Sequence, residues 1–146
     1  MKRGHCLLPH VLLIVLVLIF VVPACPSFNS NGQRIFMTTT SASGQQILPR
    51  GFQMPMFRLT CANCHRPDGH GGTINYMMYR YDVPNITWPE LTSDTSDRPA
   101  YNEESLRTAI TEGIGSDGDD LEYPMPQWQM ASRDLDDLVA FIKTLN

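Results

Sequence analysis

No acidic side chain occurs before Asp68 in this chain of 146 residues, although 15 follow from there on. Charge is scarce overall, at 18% Asp, Glu, Lys and Arg. Residues 25–60 carry Arg34, Arg50 and Arg58 against no acid, a balance of +3. Residues 61–146 reverse this, setting Arg66, Arg80, Arg98, Arg107, Arg133 and Lys143 against all 15 acids, a balance of −9. An acidic region of that size repels phosphate backbones, which excludes nucleic acid as a partner. Cysteine is sparse as well. Of four, Cys6 lies in an apolar leader and Cys25 at its end, so Cys61 and Cys64 remain and no pair is left for a structural disulfide. Histidine is equally rare, with only His65 and His70 beyond the leader. No useful length alternates apolar and polar residues with period two, so strands are not expected. There is no internal repeat. The 11 prolines and 10 glycines imply much loop without reaching the density of a disordered or collagenous chain.

Long apolar runs are absent except at the start. Val11–Val22 is unbroken, and Leu7–Val22 is apolar apart from Pro9 and His10. Lys2 and Arg3 precede the run, and Pro23, Ala24 and Cys25 end it. A basic segment, an apolar segment and a small-residue end together read as an export signal. Positive charge keeps the N-terminus in the cytoplasm, so the rest is expected on the periplasmic or extracellular side. Ala24-Cys25 resembles the end of a bacterial lipoprotein signal, in which the cysteine becomes lipidated. Retention as an uncleaved membrane helix is the second fate, although the run is short for a span needing roughly 20 residues. Free secretion is the third. The domain plan is therefore a leader or anchor at 1–25, a polar linker at 26–48 and a folded domain at 49–146.

Within the linker, Ser27–Gln46 is rich in Ser, Thr, Asn, Gly and Gln and reads as a tether, with a short extended piece at Arg34–Thr38. Gly51–Thr60 is a weak helix candidate, interrupted by Pro55. Arg66–Gly72 reads as a loop, and Asp82–Pro99, with three prolines, holds no long regular element. Two helices are clearer. Asn102 caps one that begins with Glu103 and Glu104, places Leu106, Ala109 and Ile110 on its inner face, and stops at Gly113 or Gly115. Ser132 heads and caps the other, in which Leu135, Leu138, Val139, Ile142 and Leu145 recur at helical spacing with Phe141 beside them. So few helices among so much loop bury too little apolar surface alone and need a staple.

Cys61-Ala62-Asn63-Cys64-His65 is the C-x-x-C-H pattern of covalent haem attachment. Two thiols one helical turn apart can form thioethers along one edge of the porphyrin, and the adjacent imidazole can then ligate the iron. A redox pair would give His65 no role. Zinc would need further ligands, of which only His70 is near. A Cys61–Cys64 disulfide would leave the loops unsupported. The single motif predicts a single haem c. For the sixth iron position, His70 follows His65 too closely to reach the opposite face of the ring. Met125, held between Pro124 and Pro126, is the preferred ligand, with Met130 in reserve. Trp128 can cover the ring edge. Met77 and Met78 lie only about a dozen residues past His65, and most of the eight methionines read as packing.

At this point the chain resembles a monohaem class I cytochrome c over roughly Gly51–Leu145. The resemblance rests on Cys61-x-x-Cys64-His65, Met125-Pro126-x-Trp128 and the closing Asp137–Ile142 helix, in that order. Pro84-Asn85-Ile86-Thr87 and Thr111–Pro126 are also similar to cytochrome c domains attached to bacterial dehydrogenases. The resemblance implies an all-α fold of about three to five helices with long loops wrapped around the haem. It further implies that Asn85 or Thr87 hydrogen-bonds a haem propionate and that Phe141 packs across the first helix.

With both axial positions filled, the iron would exchange one electron and bind no substrate. Asp117, Asp119, Asp120 and Glu122 read as a solvated acidic loop and Ser132 as a cap, so no catalytic residue is expected. The leading expectation is a membrane-tethered electron carrier, not an enzyme, steered by its negative charge to redox partner proteins with a basic docking face. A haem subunit fixed in a larger oxidoreductase or respiratory complex is the alternative, and a haem-based gas or redox sensor the third reading.

Overall fold

The computed structural model describes residues 27–51, 59–96 and 98–146. The leader and its candidate cleavage, lipidation and membrane-spanning residues therefore lie outside the described residues, as does most of the Gly51–Thr60 helix candidate. Among the described residues, no helix is long and apolar enough to cross a membrane.

Among the described residues five helices form: α1 (Asn31–Thr38), α2 (Cys61–His65), α3 (Trp88–Leu91), α4 (Glu103–Glu112) and α5 (Ser132–Ile142). The first corrects the expectation for the linker, where Arg34–Thr38 is helical and not extended. The Ser30 hydroxyl accepts from the Gln33 N–H at 3.1 Å and starts the helix. Thr39, in the left-handed region at φ 52°, ends it by donating its N–H to the Ile35 carbonyl. Gly32, Ile35 and Phe36 recur at helical spacing and are buried. They face α5. Phe36 meets Phe141 with ring centroids 5.3 Å apart. The helix candidate at Gly51–Thr60, against which the resemblance set Phe141, lies mostly outside the described residues. Asn31 Nδ2 donates to Asp134 at 2.9 Å and to Asp137 at 2.7 Å, holding the start of α1 to α5.

Helix α4 forms as its sequence indicates. Asn102 Oδ1 accepts from the Ser105 N–H at 2.9 Å, Ser105 Oγ accepts from the Asn102 N–H at 3.0 Å, and Gly113 closes the helix at φ 73°. Leu106, Ala109 and Ile110 are buried. Arg107 pairs with Asp136 at 2.6 Å and Lys143 with Glu103, joining α4 to α5. The Lys143 hydrogen bond and charge hold the Glu103 carboxyl below its ordinary range. Helix α5 begins at Ser132, but Ala131 occupies the cap position and no side chain caps it.

The all-α expectation is overturned by two antiparallel two-stranded sheets, which make the fold mixed. In one, β1 (Leu48–Pro49) pairs with β4 (Trp128–Gln129). In the other, β2 (Gly72–Tyr76) and β3 (Tyr79–Val83) form a hairpin, from Gly72 opposite Val83 to Tyr76 opposite Tyr79. Its two-residue turn, Met77-Met78, has positive φ at both positions, 48° and 68°. Such turns usually carry Asn-Gly, and each left-handed non-glycine residue costs about 1–2 kcal/mol. Met-Met gives no turn signal, and a five-residue alternation is too short to stand out without one.

The core joins Ile35 and Phe36 of α1, Ile47, Leu91, Leu106 and Ile110 of α4, Trp128 of β4, and Leu138, Val139, Ile142 and Leu145 at the C-terminus. Its tightest point is Gly32, where an added Cβ would lie 1.9 Å from the Asp137 carbonyl oxygen and 2.7 Å from Phe141 Cβ. Gly32→Ala is expected to force α1 off α5 and destabilise the fold by about 3 kcal/mol or more. Thermal denaturation of the purified variant checks this, and an unchanged midpoint would refute the close crossing.

Candidate functional site

Helix α2 is a single turn that presents Cys61, Cys64 and His65 together. The Thr60 hydroxyl accepts from the Asn63 N–H at 3.1 Å and also bonds the Asn63 side chain, which starts the turn. Arg66, at φ 64°, ends it immediately after His65. Cys61 and Cys64, three apart on the turn, share a face, and both thiols are free. Burial pushes the Cys61 thiol up to about 12, with neighbouring Cys64 adding to the rise and a backbone hydrogen bond opposing it. Burial raises Cys64 as well. Both are therefore protonated thiols at neutral pH. A dithiol redox pair depends on a lowered pKa, so this environment argues against that use. Among the described residues, no three His, Cys, Asp or Glu side chains gather as a metal site.

His65 is 7% exposed, and its Nδ1 lies 3.2 Å from the Pro84 carbonyl oxygen. Burial lowers its pKa, with the Pro84 contact pulling the other way, so the ring is held toward its neutral form. A carbonyl oxygen can only accept. In the neutral ring the proton therefore sits on Nδ1, and Nε2 keeps a lone pair for a metal.

The loop around this contact is built by glycine. The Gly71 N–H donates to the His65 carbonyl at 3.0 Å, and the Ile86 N–H donates to the Gly69 carbonyl at 2.8 Å. Gly71 has φ 63°, and a Cβ there would lie 2.3 Å from the Val83 oxygen and 2.4 Å from the Pro84 oxygen. Only glycine lets the strand leaving the hairpin come close enough to present the Pro84 carbonyl to His65. Neither the Pro84 carbonyl nor Gly71 is legible as a site element from the sequence, because a backbone acceptor has no side-chain signature.

The other candidates are placed as follows. Met125 and Met130 are both half-buried and packed against the core. The Met125 N–H donates to the Glu122 carbonyl at 3.1 Å. Trp128 is a core residue, 3% exposed, with its strand paired to Pro49. Asn85 Oδ1 accepts from the Thr87 N–H at 2.9 Å, fixing the turn into α3, and Thr87 is buried. His70 is exposed, with Nδ1 3.7 Å from the Asp68 carboxylate. Asp117, Asp119, Asp120 and Glu122 are exposed. Met77 and Met78 are exposed at the hairpin tip.

Two half-buried cysteines on one turn, beside an imidazole held toward its neutral form with Nε2 available, fit covalent haem. The family model described as cytochrome c matches residues 30–146. No curated protein and no solved structure matches the chain.

Gly71→Ala is expected to push the Pro84 carbonyl away from His65. In nitrogen-resolved NMR the His65 Nδ1 proton should then exchange with solvent at least about tenfold faster, the loss of a hydrogen bond worth about 1.4 kcal/mol. An unchanged exchange rate would show that Gly71 does not hold this contact.

Proposed function

This chain belongs to the cytochrome c family, whose members bind covalent haem c and carry electrons, and from that premise we propose that it is an exported, membrane-tethered electron carrier with His65 and Met125 as axial ligands. Haem c, when bound, supplies a one-electron couple. In this reading Cys61 and Cys64 give the two thioether sulfurs, and His65 gives Nε2. The observation that carries it is the His65 Nδ1–Pro84 contact, which orients the ring and leaves Nε2 as the ligand atom. Met125 is preferred over Met130 because Pro124 and Pro126 restrict the backbone on either side of it. In this reading Asn85 or Thr87 would hydrogen-bond a haem propionate and Trp128 would give an apolar contact to the haem. A Met ligand opposite a His raises the reduction potential and leaves no open position, which suits electron transfer over substrate binding. The apolar run Val11–Val22 behind Lys2 and Arg3 supports export, and Cys25 or the run itself supplies the tether.

Oxidised and reduced spectra of the haem-loaded full chain, with Met125→Ala and Met130→Ala, test the ligand. The weak far-red band of methionine–iron charge transfer is expected in the wild type and in Met130→Ala, and is expected to vanish in Met125→Ala with a fall in potential. Loss of the band in Met130→Ala alone would transfer the role to Met130. A wild type without the band that binds carbon monoxide readily when reduced would sink the carrier reading.

Fractionation of cells expressing the full chain tests the tether. The holoprotein is expected in the membrane fraction with its C-terminal domain open to protease added outside the cytoplasmic membrane. Recovery as a freely soluble protein would rule out the anchor.

A further inference from the structure

Among the described residues, the large apolar side chains most open to solvent are Met78 (101% exposed), Tyr79 (67%), Tyr123 (66%), Met77 (58%) and Leu48 (48%). Four of these five come together. Met77, Met78 and Tyr79 are consecutive at the β2–β3 turn, and Tyr123 Oη lies 3.7 Å from Met77 Sδ. The Tyr123 ring also meets Tyr81 of β3 edge-on, with centroids 6.0 Å apart.

Folding does not explain this tip. Positive φ at both turn positions is best met by Asn-Gly, yet the chain keeps two methionines there and turns them to water. Backbone strain combined with an exposed apolar cluster is the mark of a surface kept for contact. Methionine suits such a contact, because its flexible thioether adapts to the surface it meets.

The surroundings say what kind of surface that is. Exposed Glu122 immediately precedes Tyr123, and exposed Asp117, Asp119 and Asp120 come just before it, so the chain that enters the patch is acidic. The hairpin adds Asp82, whose carboxylate accepts from Thr73, and one base, Arg80. Arg66 lies at the opposite end of the hairpin, beside Gly72. An acidic flank disfavours anionic lipid headgroups, and a second copy of this chain would bring two acidic flanks together. A complementary protein surface has an apolar centre and a rim of lysine and arginine.

We infer that the Met77–Met78–Tyr79 tip and Tyr123 form the docking contact for an electron-exchanging protein with such a face. The inference rests on the electron-carrier reading and deepens it, since Tyr123 lies two residues before Met125 and seats the partner beside the proposed iron ligand.

The test uses the haem-loaded full chain on gold electrodes coated with a mixed monolayer of methyl- and ammonium-terminated alkanethiols, which mimics an apolar centre with a basic rim. Met77→Asn/Met78→Gly retains the turn with residues suited to positive φ, so the fold survives while the apolar tip is lost. Its interfacial electron-transfer rate is expected to fall about tenfold, as for loss of a dominant anchor, with spectrum and solution potential unchanged. Asp119→Asn/Asp120→Asn is expected to flatten the salt dependence of the wild-type rate. Equal rates for wild type and tip variant would overturn the docking site while leaving the carrier reading intact. So would equal rates on a carboxylate-terminated monolayer, tip-dependent binding to phosphatidylglycerol vesicles, or a sedimenting dimer that the tip variant abolishes. Absence of any reversible couple in solution would remove the carrier reading and the docking site with it.

Discussion

Gly32 and the Asp137 carbonyl meet with no room for a methyl group between them, and the rest of the molecule depends on that contact. The described core is small, and it is assembled from segments far apart in the chain. Helix α1 reaches it from one end of the sequence and α5 from the other. Because the two cross backbone against backbone, Ile35 and Phe36 can reach Leu138, Val139 and Phe141 and exclude water from both helices at once. Without that crossing, α1 is eight residues of mixed polarity, far too short to be helical alone. Asn31, bridging Asp134 and Asp137, adds a polar latch at the edge of the same crossing.

Closure of the ends matters because the middle of the chain has little regular structure of its own. Leu145 returns from α5 to accept from the Trp88 N–H at 2.9 Å, and its side chain covers Gly69. Gly69 in turn accepts from Ile86, and Gly71 from the same loop bonds the His65 carbonyl. The C-terminus, the glycine loop, the Pro84 segment and α2 thus form one connected set of backbone contacts. His65 owes its orientation to this set, not to any residue beside it in the sequence. A haem-binding histidine with a fixed ring needs such support, since the imidazole can otherwise rotate about its own stem.

What could be read from the residues alone follows from how local each signal is. The Asn102 cap, the glycine stop at Gly113 or Gly115 and the apolar stripe of α5 all act within a few residues, and each indicates its element from the sequence. The C-x-x-C-H motif is equally local, and it led to the family and the cofactor. The Met77-Met78 turn could not be read, because its backbone demands a residue type that the chain does not use there. Helix α1 was obscured for a different reason. Its Ser30 cap is visible, but Asn31, Gly32, Gln33 and Arg34 look like linker until α5 supplies the surface that buries Gly32, Ile35 and Phe36. The resemblance, taken from Gly51 onward, likewise looked for the first helix next to the cysteines, whereas Phe141 finds its partner at Phe36. The β1–β4 pair, two residues on each side, has no periodicity to detect.

These misses share a cause that bears on function. Where a residue's choice is explained by its own element, as for Asn102 or Leu138, it serves stability. Where residue and local structure disagree, something beyond the element has to account for the choice. Gly71 is such a case within the fold, since only the approach of the Pro84 carbonyl explains why no side chain stands there. At the hairpin tip the same disagreement has no answer among the described residues beyond Tyr123, itself mostly open to water. The conflict therefore points outward from the tip, on the side of the molecule where the acidic loop and the Met125 segment come together.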